Sequence, residues 1–122
     1  YVYFTYGMHW CANVVTEREG FPAAVLLRAG EPLEGLEAMR RRRCRDRDTD
    51  LASGPAKLAQ ALGISRNHDG HVLARAPLWI ADGPPVPAHR RATAVRIGVR
   101  LGADRLLRYY ERGNPHVSAP HD

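Results

Sequence analysis

The sequence predicts a mixed α/β (α+β) domain: a curved, mostly antiparallel sheet, a protruding β-hairpin and a few helices. Three observations lead there. An aromatic and β-branched run folds about a Gly in the first thirty residues, two short helix signals are punctuated by Gly and Pro, and strand-like runs alternate near the end of the chain. Over 122 residues there are no internal repeats and no interdomain linker, so a single domain is expected.

The run from Tyr1 to Thr16 is rich in residues that favour strands, and Gly7 suits the positive φ of a tight turn. A two-residue loop at Gly7-Met8 sets Tyr6 opposite His9 and Val2 opposite Asn13, with Tyr3 on the other face from Tyr6 and Asn13. Tyr6 and Met8 then occupy the tip, where small polar residues are usual; either a neighbouring segment covers them or they insert into something. A third apolar run, Ala23 to Ala29, is interrupted by Arg28. Glu31 to Gly35 breaks it and opens a helix with Leu36 and Met39 three apart, ending near Arg45. The stretch from Arg40 to Asp50 reads as a loop within the domain, its Arg residues alternating with Asp46, Asp48 and Asp50 as a solvated, self-paired face.

Ser53-Gly54-Pro55 announces a second helix, with Ser53 a candidate N-cap, Pro55 in the first turn and Gly63 the stop. Leu78 to Ile80 reads as a short strand before the Pro-rich loop at 83–87, Thr93 to Leu101 as a longer one, and Leu106 to Glu111 as the last.

The formal net charge is +5, from 17 Arg and the single Lys57 against 13 acidic residues. Such a balance suits a polyanion-binding surface. Arg-rich, Ala-, Gly- and Pro-rich usage equally reflects a GC-rich genome. Cys11 and Cys44 have neither metal-ligand spacing nor a disulfide framework, which fits a reducing compartment, and no hydrophobic stretch is long enough to span a membrane. The chain opens at Tyr1, inside a strand and without an initiator Met, so an incomplete domain with a partly uncovered core is expected.

Six blocks, YVYFTYGMHWCANV, VLLRAGEPLEGLEAMRRRR, SGPAKLAQALGI, PLWIADG, VRIGVR and RYYERGNPHVS, occur in the order seen in the alkyladenine (3-methyladenine) DNA glycosylase family, and the chain resembles the C-terminal two-thirds of that family. The resemblance implies a base-excision-repair hydrolase of the bacterial cytoplasm, nucleoid-associated through its DNA. It would act as a monomer on duplex DNA carrying a damaged purine, without cofactor or metal. Such an enzyme must take the base out of the stack, and something must fill the gap. The resemblance makes Tyr6 that wedge, with Met8 and His9 beside it against the minor groove.

Asn13 is a lone amide in an apolar strand, so it either finds hydrogen-bond partners or faces a cavity. The resemblance places it at the pocket wall, rejecting guanine through its exocyclic amino group, and makes Tyr3 an aromatic packed on the flipped base. Because the ideal hairpin puts Tyr3 and Asn13 on opposite faces, either the hairpin is bulged or twisted or one assignment is wrong. Arg28 and the main-chain carbonyl of Ile97 would hold the attacking water. Lys57, in the first turn of its helix beside free backbone N–H groups, would meet a phosphate. It is also the sole candidate Schiff-base amine, but a phosphate-contacting Lys is not desolvated, so a monofunctional, hydrolytic glycosylase is expected.

In the family a Glu general base precedes the segment that matches Tyr1. Glu31, Glu34 and Glu37 read as caps and surface charges rather than replacements. Two classes follow: a glycosylase fragment inactive by itself, or a non-catalytic duplex-binding module. An acidic residue in a strand upstream separates them.

Overall fold

The computed structural model describes residues 1–5 and 8–118. Mixed helices and antiparallel strands make it α+β, as expected. The strands form separate sheets rather than one curved sheet: a three-stranded sheet in the order β1 (Val2–Thr5), β2 (His9–Thr16), β3 (Ala23–Leu26), and two-stranded pairs of β4 (Ala74–Arg75) with β5 (Leu78–Trp79) and of β6 (Arg91–Ala94) with β7 (Arg108–Glu111).

The hairpin register differs from the expected one. Thr5 lies opposite His9 and Val2 opposite Ala12, so residues 6–8 separate the paired ends, three positions instead of two. One residue of slip exchanges the faces of a strand. Tyr3 and Asn13 therefore share a face, and neither a bulge nor a reassignment is needed to reconcile them. The opposite face carries Val2, Trp10 and Ala12 and packs with Leu27 on Ala59 and Ile64.

That packing depends on α2 (Pro55–Leu62), which buries Leu58, Ala59 and Ala61. Pro55 opens it as expected, but its N-cap is Gly54, and Ser53 is buried without capping it. Gly63 ends α2 at φ 69°, donating to the Ala59 and Gln60 carbonyls, and Ile64 N–H bonds Ala59 O at 2.8 Å. A Cβ there would sit in the left-handed region and 3.4 Å from Arg42 Nε. Gly63→Ala should lower stability by about 1 kcal/mol in an equilibrium urea titration.

The Arg run divides differently from the expected solvated loop. Arg40 to Arg43 belong to α1 (Leu36–Arg43), where last-turn cations complement the helix dipole, and Asp48–Asp50 form a 3-10 turn. Arg40 pairs with Asp48 at 2.7 Å on the surface. Arg43 is buried: its guanidinium donates to Leu51 O, Gln60 Oε1 and Asp50 O at 3.0–3.1 Å, tying α1 to α2 around the fully buried Leu51. The strand expected over 93–101 stops at Ala94, because Gly98 and Gly102 take left-handed φ values of 74° and 66°. There Arg96 Nη2 donates to Leu101 O and Gly102 O, in place of a ladder.

Candidate active site

Asn13 sits where all three strands of the first sheet meet. Its N–H donates to Tyr1 O at 2.8 Å, its side-chain amide donates to the same carbonyl at 3.3 Å, and it lies opposite Leu26 of β3. Both readings of a strand amide are thus realised: the side chain has a partner, and it also lines an open groove of about 830 Å³. Tyr3 lies on this face across from Cys11, its ring stacked on Tyr1 with centroids 5.5 Å apart.

The groove runs between β3 on one side and the segments around Ile97 and β7 on the other. Arg28 enters it two residues past the end of β3, and Ile97 enters from the bend after β6. Three residues far apart in sequence, Asn13, Arg28 and Ile97, therefore line one groove. Arg28 is half-buried, and its guanidinium is held below its ordinary pKa by burial and then by the charge of Arg108. Both effects favour an anionic partner at this point.

Several groove residues went unassigned by sequence reasoning. Arg108 is buried, donates from Nε to Val95 O at 3.2 Å, and lies over the Tyr110 ring at 4.8 Å. Glu31, exposed as expected of a surface charge, also lines the groove and faces the buried His116, with Oε1 3.6 Å from Nε2. Asn114 steadies His116 by accepting its backbone N–H at 2.8 Å and donating to Glu111 Oε2 at 3.0 Å. The block RYYERGNPHVS signals a turn, not that its His and first Arg fold back against β3.

The expected DNA-contacting residues lie elsewhere. Tyr6 falls outside the described residues. Met8 is 72% exposed at the end of the hairpin. His9 and Lys57, 48 positions apart, line one shallow cavity of about 430 Å³ with Arg43, Arg45, Asp50 and Gln60. Lys57 is in the first turn of α2, but its ammonium is paired with Asp50 Oδ1 at 2.8 Å. The hydrogen bond from Lys57 is the main influence holding the Asp50 carboxyl below the usual carboxylate range. Among the described residues no group of three or more His, Cys, Asp or Glu side chains could hold a metal ion, and no helix is long and apolar enough to cross a membrane.

The family described as Methylpurine-DNA glycosylase (MPG) matches this chain over residues 1–115. Among curated relatives, a Chlorobaculum tepidum protein is 43% identical over 118 residues, covering 97% of this chain and 56% of its own length. One from Rhodopseudomonas palustris is 49% identical over 126 residues, covering 98% of this chain and 59% of its own length. One from Burkholderia orbicola is 50% identical over 121 residues, with 97% and 58% covered. All three carry the name "Putative 3-methyladenine DNA glycosylase". The chain thus spans less than three-fifths of the length of each of these relatives, and nearly all of it is matched. With a family match over residues 1–115 and relatives 43–50% identical over nearly all of it, the chain belongs to the methylpurine-DNA glycosylase family.

Proposed function

We propose that the full-length protein removes alkylated or deaminated purines from duplex DNA by flipping the base and hydrolysing its N-glycosidic bond with an activated water. It would act as a monomer and leave the abasic site uncleaved. The observation that carries this reading is the convergence of Asn13, Arg28 and Ile97 on one groove, on the face that also bears Tyr3. In it, Asn13 excludes guanine, Tyr3 packs on the flipped purine, and Arg28 with the Ile97 carbonyl holds the water. Tyr6 fills the vacated stack with Met8 and His9 beside it, and Lys57 meets the phosphate backbone. The general base comes from sequence outside this chain.

The surface supports that division. A folded monomer of 13.6 kDa exposes roughly 6,600 Å², whereas this chain exposes 9067 Å². Val25, Ile97, Leu107 and Tyr109 are exposed along the groove. Large apolar groups exposed along a groove suit a surface that another segment covers.

The test is base release by the full-length protein from duplexes containing ethenoadenine, hypoxanthine or mismatched guanine. The wild type should release the first two and spare guanine. Asn13→Ser or Asn13→Gly should raise guanine release relative to ethenoadenine. An unchanged ratio leaves Asn13 a structural residue, and a wild type that releases no purine ends the glycosylase reading.

A further inference from the structure

The cavity shared by His9 and Lys57 contains an anion of the protein's own. Asp50 closes the 3-10 turn at 48–50 and takes Lys57 Nζ at 2.8 Å on Oδ1 and Arg45 Nε at 3.4 Å on Oδ2. Arg43 Nη2 stands 3.9 Å from Oδ2, but its guanidinium already serves the Leu51, Gln60 and Asp50 oxygens described above. Arg43 is therefore a structural cation that fixes the turn carrying Asp50. Lys57 and Arg45 differ from it: their side chains are 42% and 57% exposed, and charge is what holds them to the carboxylate.

Two oxygens of one anion set between an ammonium and a guanidinium reproduce how a phosphodiester is gripped. Lys57 is also the third residue of α2, beside backbone N–H groups that the helix leaves free. Asp50 thus occupies, in charge and in reach, the place of a backbone phosphate. Both partners are partly exposed to water, and an ion pair so placed is weak enough to exchange.

We propose that Asp50 is an intramolecular stand-in for a DNA phosphate, holding Lys57 and Arg45 in the free protein and surrendering them to the backbone of the duplex. This rests on the reading that the His9–Lys57 face meets DNA. Exchange of one anion for another gains less than capture of a phosphate by free cations, and it releases fewer counterions. Affinity for undamaged duplex is thereby held down, which favours departure from sites with no base to flip.

The experiment measures binding of the full-length protein to damaged and undamaged duplexes by fluorescence anisotropy across a salt series. Asp50→Asn should tighten binding to both duplexes by about two- to fivefold, the scale of one exposed ion pair, and steepen the log affinity against log salt slope by about one. Lys57→Ala and Arg45→Ala should each weaken binding to both and flatten the slope by about one. The gain from Asp50→Asn should shrink when Lys57 is already Ala, since the two share one interaction. If Lys57→Ala weakens binding while folded Asp50→Asn changes neither affinity nor slope, the stand-in is refuted and the DNA-facing reading survives. If neither Lys57→Ala nor Arg45→Ala moves affinity or slope, the face does not meet DNA, and the proposal falls with that reading. Asp50→Ser, which also removes the carboxylate while Arg43 still holds the main-chain oxygen of residue 50, repeats the measurement if Asp50→Asn fails to fold.

Discussion

Residues 1–122 alone are expected to bind duplex DNA weakly and to release no purine from it, while the full-length protein excises ethenoadenine. On the proposed reading Arg28 and the Ile97 carbonyl hold a water, and both residues line the groove of this chain, but the acidic residues of the groove face other partners. Glu111 pairs with Arg90 at 2.7 Å and accepts from Asn114, and Glu31 faces His116. General acid–base groups contribute typically 10²–10⁴-fold, and an uncovered pocket loses base positioning as well. Incubation with a duplex bearing one ethenoadenine, followed by alkaline cleavage of abasic sites, gives the readout. Restoration of strand breaks by the rest of the protein would place the general base there. Breaks at the full-length rate from residues 1–122 would place it within this chain, with Glu31→Gln the first variant to make, because Glu31 shares the groove with Arg28.

What the sequence conveyed well was local. Pro55 and Gly63 bound α2 because each acts through its own backbone: one supplies a preset φ, the other the left-handed φ of 69° that other residues resist. The end of β6 was harder. Alternation continues past Ala94, but glycines at 98 and 102 turn the chain, and Arg96 satisfies the carbonyls that a strand partner would have taken. Register was harder still, since loops of two and three residues are nearly indistinguishable in sequence yet place Tyr3 on opposite faces relative to Asn13.

The site was legible only through the resemblance. Periodicity marks Asn13 and Arg28 as polar residues in apolar strands, and nothing local says that Ile97 will face them across a groove. The approach of β7 to β3 is tertiary, and it is what brings Arg108 and His116 to the same place. Likewise, the Arg-rich run looks uniformly solvated until its partners are known. Arg43 proves to be buried because Leu51, Gln60 and Asp50 present three oxygens to it, while Arg45, two residues on, stays on the surface.

Arg28→Ala in the full-length protein is expected to lower single-turnover excision of ethenoadenine by about 10²-fold, the scale of losing the alignment of a reacting group. Stability should be nearly unchanged. The sign follows from the electrostatics: burial, and then the Arg108 charge, hold the Arg28 pKa below its unfolded value, so at neutral pH its positive charge opposes folding. That opposition is complete below the lowered pKa and fades as pH rises through it, so removing the guanidinium at neutral pH should leave the melting temperature nearly level. A cation so placed suits an anion or a polarised water brought to the groove. Arg28→Lys should recover part of the rate, since it keeps the charge and loses the planar fork. Wild-type excision by Arg28→Ala would remove Arg28 from the chemistry, and a large fall in melting temperature would make it a residue of the fold. Slow excision at unchanged stability and unchanged duplex affinity is the outcome that assigns Arg28 to the water.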